Sequence, residues 1–483
     1  FLQLKNEFPN EKKIKILELT TNKMFLPIMY TALTTICAFL SLIFSGIKPV
    51  IDFGWMMTLG LIASLLTTFT LLPTLLSILS DKNIFDLKSS TDSNITKILC
   101  KFTLNYKKII FLISIVIVFV SLYGISKLRV ENSFINYFSK DTEIYKGMKL
   151  IDDQLGGTTP LEIILKFPQD KQEIDNEDDD WGESENEDTD KYWFTKDKID
   201  KINSVHNYLE NLEHVGKVLS FSSVLRVAEQ LNNNNPLGSL EMGVLYTKLP
   251  NNIKEEIVSP YISIENSEAR ISLRIKDSND ELRRNDLINK IKYDLKNKLN
   301  LTNDEFKLAG VLIIFNNLLQ SLFKSQILTL GFVMAGILLM FLVLFKNIKL
   351  SLIGVIPNFI AAFFILGIIG LLGIPLDMMT ITIAAITIGI AVDNSIHYIY
   401  RFKEEFTISN DYNKTINLCH STVGKAILNT SITIVFGFSI LVLSKFIPTI
   451  YFGIFTGIAM LLAMVSVLTL LPSLILLLKP FGK

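Results

Sequence analysis

The sequence predicts a polytopic α-helical membrane protein carrying an extracytoplasmic α/β domain of ferredoxin-like type. Three observations predict it. Hydrophobic residues make up 49% of the 483 and charged residues only 19%, with 33 Phe and a mean hydropathy of +0.39. That is too apolar for an ordinary soluble protein. Eight apolar runs are each long enough, at roughly 20 residues, to cross a bilayer core of about 30 Å. One hydrophilic stretch, 127–323, interrupts them and alternates strand-like and helix-like segments.

In order, a polar Lys-rich segment precedes spans at Pro27–Ile47 and Gly54–Ser80. These two fill most of a first segment, 1–80. A polar linker, 81–108, leads to a third span at 109–126. The hydrophilic domain follows, and then a five-span bundle over 327–478, with runs at 327–345, 351–373, 376–400, 426–444 and 449–478. If the spans alternate, the connections on one side hold nineteen Lys and Arg, and the opposite short loops hold only Lys48 and Lys445. Basic loops stay in the cytoplasm. The linker 81–108 is therefore expected to be cytoplasmic and 127–323 extracytoplasmic, in a multi-pass protein of the cell membrane.

Within 127–323, the segments 161–168, 217–223, 269–277 and 306–311 read as strands. Segments 197–215 and 280–299 have helical periodicity. Strand–helix–strand twice over suggests a split βαβ unit. Gln169–Asp190, with twelve acidic residues and one Lys, reads as a solvated insertion, and Asn232–Asn235 as a loop. His206 and His214 are expected on a helix surface.

Cys37, Cys100 and Cys419 fall outside the extracytoplasmic stretch, so no disulfide framework is expected. No His/Cys cluster has metal spacing. No GxSxG, HExxH or P-loop pattern is present, which argues against an enzyme and implies no cofactor. No nucleic-acid partner is expected. Membrane lipids are partners by location, and self-association into a homo-oligomer is compatible with the sequence.

Residues 20–79 match 419–478 at a constant offset of 399. Thr31 falls on Thr430, Thr34 on Thr433, Phe39 on Phe438, Ser45 on Ser444, Phe53 on Phe452, Gly54 on Gly453 and Pro73 on Pro472. Shared Pro and Gly punctuate helix ends, so the match is structural. The first copy lacks a counterpart of 376–400. The chain is expected to be the C-terminal part of a protein with twelve spans and two outer domains.

The run Ile374–Phe402 carries Asp393, Asn394 and His397. An ionisable group at membrane depth costs at least ~2.5 kcal/mol on insertion scales and is a functional-site hypothesis by default. Asp393 and His397, four apart, share a helix face. A carboxylate that gains and loses a proton changes how its helix packs, which gives a two-state element. His397 relays the proton or holds Asp393, and Asn394 can only hydrogen-bond. Asn429, Thr430 and Thr433 on the next span are expected to face the same cavity. The alternative is that Asp393 only locks helices together. Asp377 is expected to be a solvated helix start, Arg401 and Lys403 cytoplasmic anchors, and Gly389, Ala391, Gly453 and Gly457 close-contact positions.

The segment GIAVDNSIHYIYRFKEE (389–405) resembles a motif of the RND superfamily, and within it of the MMPL and patched-like exporters with a sterol-sensing-type membrane unit. Gly389, Ile390, Val392, Asp393, Ile396, His397, Arg401, Phe402, Glu404 and Glu405 match it. The segments 153–165 and 307–326 also resemble this family. The resemblance implies a porter-type outer domain, a proton relay through Asp393, Asn394 and His397, and antiport-driven export of a lipid or other hydrophobic substrate. Asn394 stands where many members have Tyr. The alternative function is a non-transporting lipid- or sterol-sensing receptor or scaffold. An aid to protein secretion shares the architecture and ranks lower.

Overall fold

The computed structural model describes the chain except for residues 2, 3, 6, 7, 9, 79–93, 129–132, 169–192, 280 and 483. The acidic insertion, Gln169–Asp190, lies wholly outside the described residues. The helices before the hydrophilic stretch are α1 (Lys13–Leu40), α2 (Lys48–Ile78), α3 (Asn94–Asn105) and α4 (Lys107–Ile125). Then come α5 (Glu143–Gln154), β1 (Thr159–Lys166), α6 (Lys196–Glu210), β2 (Val215–Leu219), α7 (Phe221–Leu231), α8 (Ser239–Lys248) and α9 (Asn251–Ile257). They are followed by β3 (Ile262–Ser263), β4 (Glu268–Ile275), α10 (Arg284–Asn297) and β5 (Phe306–Ala309). The remaining helices are α11 (Val311–Phe345), α12 (Ile348–Leu371), α13 (Met378–Ser409), α14 (Tyr412–Ser421), α15 (Val423–Ser439) and α16 (Ile447–Leu478). Two compact units emerge. One is helical, Phe1–Asn132 with Gln320–Lys483, and one is α/β, Ser133–Leu319.

In the helical unit, eight helices among the described residues are long and apolar enough to cross a membrane: α1, α2, α4, α11, α12, α13, α15 and α16. They overlap the eight apolar runs one for one. Three reach well past them. α1 starts at Lys13. α11 starts at Val311, well before the apolar run. α13 continues to Ser409, where Asn410 in the left-handed region (φ 51°) ends it. Arg401 supports that extension by pairing with Glu404 and Glu405, at 3.4 and 2.6 Å. Such pairs stabilise a helix from its own surface. Arg401 is half-buried and paired on the helix surface.

The internal repeat holds atom by atom. A Cβ built on Gly54 would lie 2.7 Å from the Phe39 carbonyl oxygen, and one on Gly453 would lie 2.7 Å from that of Phe438. Rings Phe39 and Phe53 meet edge to face at 6.1 Å, and Phe438 and Phe452 at 5.7 Å. The Ser45 hydroxyl accepts from the Ile47 N–H, and that of Ser444 from the Phe446 N–H, at 3.2 and 3.1 Å. Each pair differs by the same 399 positions. Close helix contact also joins α4 to α12, where Gly124 faces Gly367 and Gly370 backbone to backbone. Lipid tails are as apolar as the side chains, so such close packing is what holds spans together. Gly457 is looser than expected, with nothing nearer than 3.9 Å to a built Cβ.

The α/β unit has a sheet of order β2-β4-β1-β5, with β3 pairing β4, all antiparallel. The β1–α6–β2 and β4–α10–β5 crossovers make the split βαβ arrangement. β1 buries Leu161, Ile163 and Leu165, opposite Leu273, Ile271 and Ala269 of β4. Alternation along both strands sends these side chains to one face. Ile199, Ile202, Val205 and Leu209 of α6 and Leu287, Ile288, Ile291 and Leu295 of α10 join the same core. Each fully buried aliphatic contributes about 1.5–3 kcal/mol.

Both histidine expectations fail here. His206 is 1% exposed, and its Nδ1 lies 2.9 Å from the Ser220 hydroxyl. It shares the buried face of α6 with Ile202 and Leu209. α6 ends at Glu210, so His214 sits in the following turn with φ 68°. The helices α5, α7, α8 and α9 and the strand β3 had no counterpart in the sequence reading.

Candidate functional site

The site is built on α13. Asp377 caps its start, accepting from the N–H groups of Met379 and Thr380 at 2.9 and 2.7 Å. It is 4% exposed, so the expected solvated residue is instead a buried N-cap that fixes where the helix begins. Four turns on lies Asp393. Gly389, one turn before it, brings α1 close: a Cβ on Gly389 would meet the Ala38 methyl at 2.6 Å.

That approach puts the Thr35 hydroxyl of α1 against α13. Its Oγ1 is 3.3 Å from Asp393 Oδ1, 3.2 Å from the Gly389 carbonyl and 2.9 Å from the Thr31 carbonyl. One hydroxyl proton faces three acceptors. Thr35 can donate to a charged carboxylate. It can also donate to a carbonyl and accept from a neutral carboxylic acid. Thr35 can therefore meet Asp393 in either protonation state. A cavity of about 250 Å³ opens beside it, and its polar lining is Thr31, Thr35, Ser64, Thr68 and Asp393.

The other expected site residues are dispersed. Asn394 is buried and turns away, its amide donating to the Ser431 hydroxyl of α15 at 3.4 Å. Beside it, the Asn358 amide of α12 donates to the Ser395 hydroxyl at 2.9 Å. These bonds tie α13 to α15 and α12. His397 lies one turn from Asp393 on the same face and is half-buried, but no hydrogen bond joins the two. Asn429, Thr430 and Thr433 do not line the cavity. They sit on an exposed face of α15, and both threonine hydroxyls bond back to their own helix. Their repeat counterparts in α1 include Thr31 and Thr34, which are buried. Asp393 thus meets the helix pair of the other copy. Thr35 escaped the repeat comparison because its counterpart is Ile434.

At the basic end, Lys23 of α1 reaches Glu404 of α13 at 3.7 Å. His420 holds backbone: its ring nitrogens face the carbonyls of Ile416 and Leu468 at 2.9 and 2.8 Å. No group of three His, Cys, Asp or Glu side chains that could hold a metal forms among the described residues. The cysteines are free.

The MMPL family model matches residues 22–100 and 188–482. The chain belongs to the MMPL family. A membrane protein of Methanocaldococcus jannaschii, MJ1562, is 26% identical over 377 residues, covering 76% of this chain and 90% of that one. The hedgehog release protein Disp from the water bear Hypsibius dujardini matches 96% of this MMPL chain with a TM-score of 0.59 at 13% identity. A heavy metal efflux pump matches 96% with a TM-score of 0.56 at 10% identity. SecDF, a translocon-associated membrane protein from a Thermus species, matches 99% with a TM-score of 0.50 at 13% identity. The chain spans 60% of the Disp and efflux-pump chains and 52% of SecDF. At these identities the likeness is one of fold, and the fold is that of RND-type transporters.

Proposed function

We propose that this MMPL chain belongs to an exporter driven by the proton-motive force, which moves a lipid or other hydrophobic substrate across the cytoplasmic membrane. Asp393 carries the proton. The α/β unit is extracytoplasmic and handles the substrate. The observation that carries the reading is the contact between Asp393 and Thr35. A carboxyl at membrane depth beside a hydroxyl that fits both of its protonation states is suited to reversible loading. Its partner helix comes from the other repeat copy, so a change of charge bears on the packing between copies. Bistable packing of that sort converts a local event into a conformational change. The names of the structural neighbours, a release protein and an efflux pump, are in keeping with export.

The test is Asp393→Asn in the full-length protein, reconstituted in sealed vesicles with an imposed proton gradient. Gradient-dependent export is expected to fall at least tenfold while the protein still folds and inserts. Unchanged export would overturn the reading. Lipid-dependent binding of a protein partner that survives this substitution, with no transport in the parent, would favour the receptor alternative.

A further inference from the structure

We propose that the α/β unit binds a phosphate monoester in the cleft outside β2, between the end of α5 and the helices α6 and α7. Lys217, Lys276, His206 and Ser223 are the groups that meet it. Binding itself is independent of Asp393. Its use as the headgroup pocket for an exported amphiphile rests on the reading of export above, and it narrows that substrate to a phosphate-bearing one.

The cleft has a volume of about 680 Å³, within the roughly 300–1,000 Å³ of small-molecule sites. Part of its lining is bare backbone. Gly156, in the left-handed region at φ 85°, packs on Gly216, and the Lys217 N–H donates to the Gly156 carbonyl at 3.2 Å. A Cβ at Gly216 would collide with the Gly156 backbone. The charges around it are unequal. Both lining carboxylates are already engaged, Asp153 with Lys149 and Glu210 with Arg226, each at 3.0 Å. Lys217 and Lys276 line the same cleft and are exposed. Neither ammonium group has an ion pair or hydrogen bond among the described residues. Two positive charges therefore stand uncompensated. A phosphate monoester carries about −1.5 to −2 at pH 7 and matches them, whereas a carboxylate brings a single charge.

A buried donor faces the same space. His206, which lines the cleft, is 1% exposed. The Ser220 hydroxyl oxygen accepts from the Ser222 N–H at 3.0 Å. Its proton has no acceptor among the described residues other than His206 Nδ1, 2.9 Å away. That bond assigns the ring proton to Nε2. The Nε2–H then has no hydrogen-bond acceptor, since Glu210 Oε2 lies 3.9 Å away, beyond hydrogen-bond reach. A buried donor left without an acceptor is unfavourable, and a ligand oxygen in the cleft relieves it. Ser223 adds a second donor. Its hydroxyl oxygen accepts from the Ser220 N–H at 3.3 Å, which leaves its own proton free. It lies in the first turn of α7, an 11-residue helix, and a helix N-terminus favours an anion. Two ammonium groups, an imidazole N–H and a hydroxyl are thus available to phosphate oxygens.

The experiment uses the full-length protein in nanodiscs of phosphatidylcholine. Hydrogen exchange over residues 215–226 is followed while inorganic phosphate or dihexanoyl phosphatidic acid is added. Dihexanoyl phosphatidylcholine, whose phosphate is a diester, is the chain-matched control. Protection by phosphatidic acid and not by the control is expected. Lys217→Gln combined with Lys276→Gln should weaken that binding at least tenfold. Lys292→Gln combined with Lys296→Gln, exposed positions of α10, removes the same charge and should weaken it less than twofold. Phosphatidic acid binding at least tenfold tighter than inorganic phosphate supports the site and assigns it to a lipid headgroup. Comparable binding of the two supports the site and assigns it to free phosphate. No protection by either anion, equal protection by phosphatidylcholine, or equal loss in the two variant pairs overturns it. Binding needs no proton gradient, so the two readings fail separately. Unchanged export in Asp393→Asn leaves the site standing, and absent binding leaves proton-driven export standing.

Discussion

Arg284→Met is expected to destabilise the α/β unit by about 3–5 kcal/mol, the usual cost of stranding one member of a buried ion pair. Asp277 and Arg284 are each 2% exposed. Arg284 Nε donates to Asp277 Oδ1 at 2.9 Å, and its Nη2 makes a second bond to the same oxygen. Asp277 Oδ2 accepts from the Ser133 hydroxyl at 2.7 Å and the Phe134 N–H at 3.3 Å. The pair thereby pins the start of the unit to the end of β4. Removing the guanidinium leaves a buried carboxylate with two neutral donors. A domain holds about 5–15 kcal/mol in all, so the loss is a large fraction. The assay is hydrogen exchange of the β4 amides in the full chain. At about 1.4 kcal/mol per tenfold, their exchange should accelerate by roughly two to three and a half orders of magnitude. Asp277→Asn combined with Arg284→Met should cost less than Arg284→Met alone, because no charge is stranded. Acceleration below tenfold in Arg284→Met, or a double variant worse than the single, would refute the reasoning.

Two further outcomes follow from the geometry. Gly54→Ala and Gly453→Ala should each lower the thermal midpoint in detergent, by a cost of about 1–3 kcal/mol for overpacking. Gly60→Ala on the same helix, with nothing within 4 Å of a built Cβ, should be neutral or slightly stabilising. Burial, followed by the nearby Arg226 guanidinium, holds His206 below the usual imidazole pKa against the opposing pull of Glu210. The unfolded chain then binds more protons than the folded one below about pH 6.5, so stability falls as pH drops through that value. Protection factors of the β2 and α7 amides, with the intrinsic pH dependence of exchange divided out, should fall between pH 7 and 5, and His206→Gln should flatten that dependence.

Much of the architecture is legible in the chain because each signal is local. Spanning length and loop charge reveal the eight helices, and Pro73 with Pro472 and Gly54 with Gly453 reveal the repeat. Alternation in LEIILK and ARISLRI reveals the two central strands. The burial of His206 was also legible, since Ile202 and Leu209 sit at i−4 and i+3 on its face. The surroundings of Asp393 were less so. Taking the next span in the chain as its neighbour leads to Asn429, Thr430 and Thr433. The actual neighbour is α1, more than 350 residues earlier. No periodicity encodes a contact of that separation. Thr35 is also the position where the two copies differ, so the repeat hides it. Asp377 misled because an acidic residue at a helix start looks alike whether water or protein surrounds it.

The hydroxyl of Thr35 has a consequence for how such a chain can change over generations. Contacts such as Gly54 with Phe39 are kept within one copy, and either copy could preserve its own. The carboxylate and its hydroxyl are split between copies. An exchange or replacement of one partner alone would separate Asp393 from the hydroxyl that meets it. The two halves must be inherited as a matched set, and drift at positions 31 and 35 is answerable to positions 389 and 393. Duplication supplied similar helix pairs, and contacts such as this one, with Gly389 against Ala38 and Lys23 near Glu404, keep them from becoming independent.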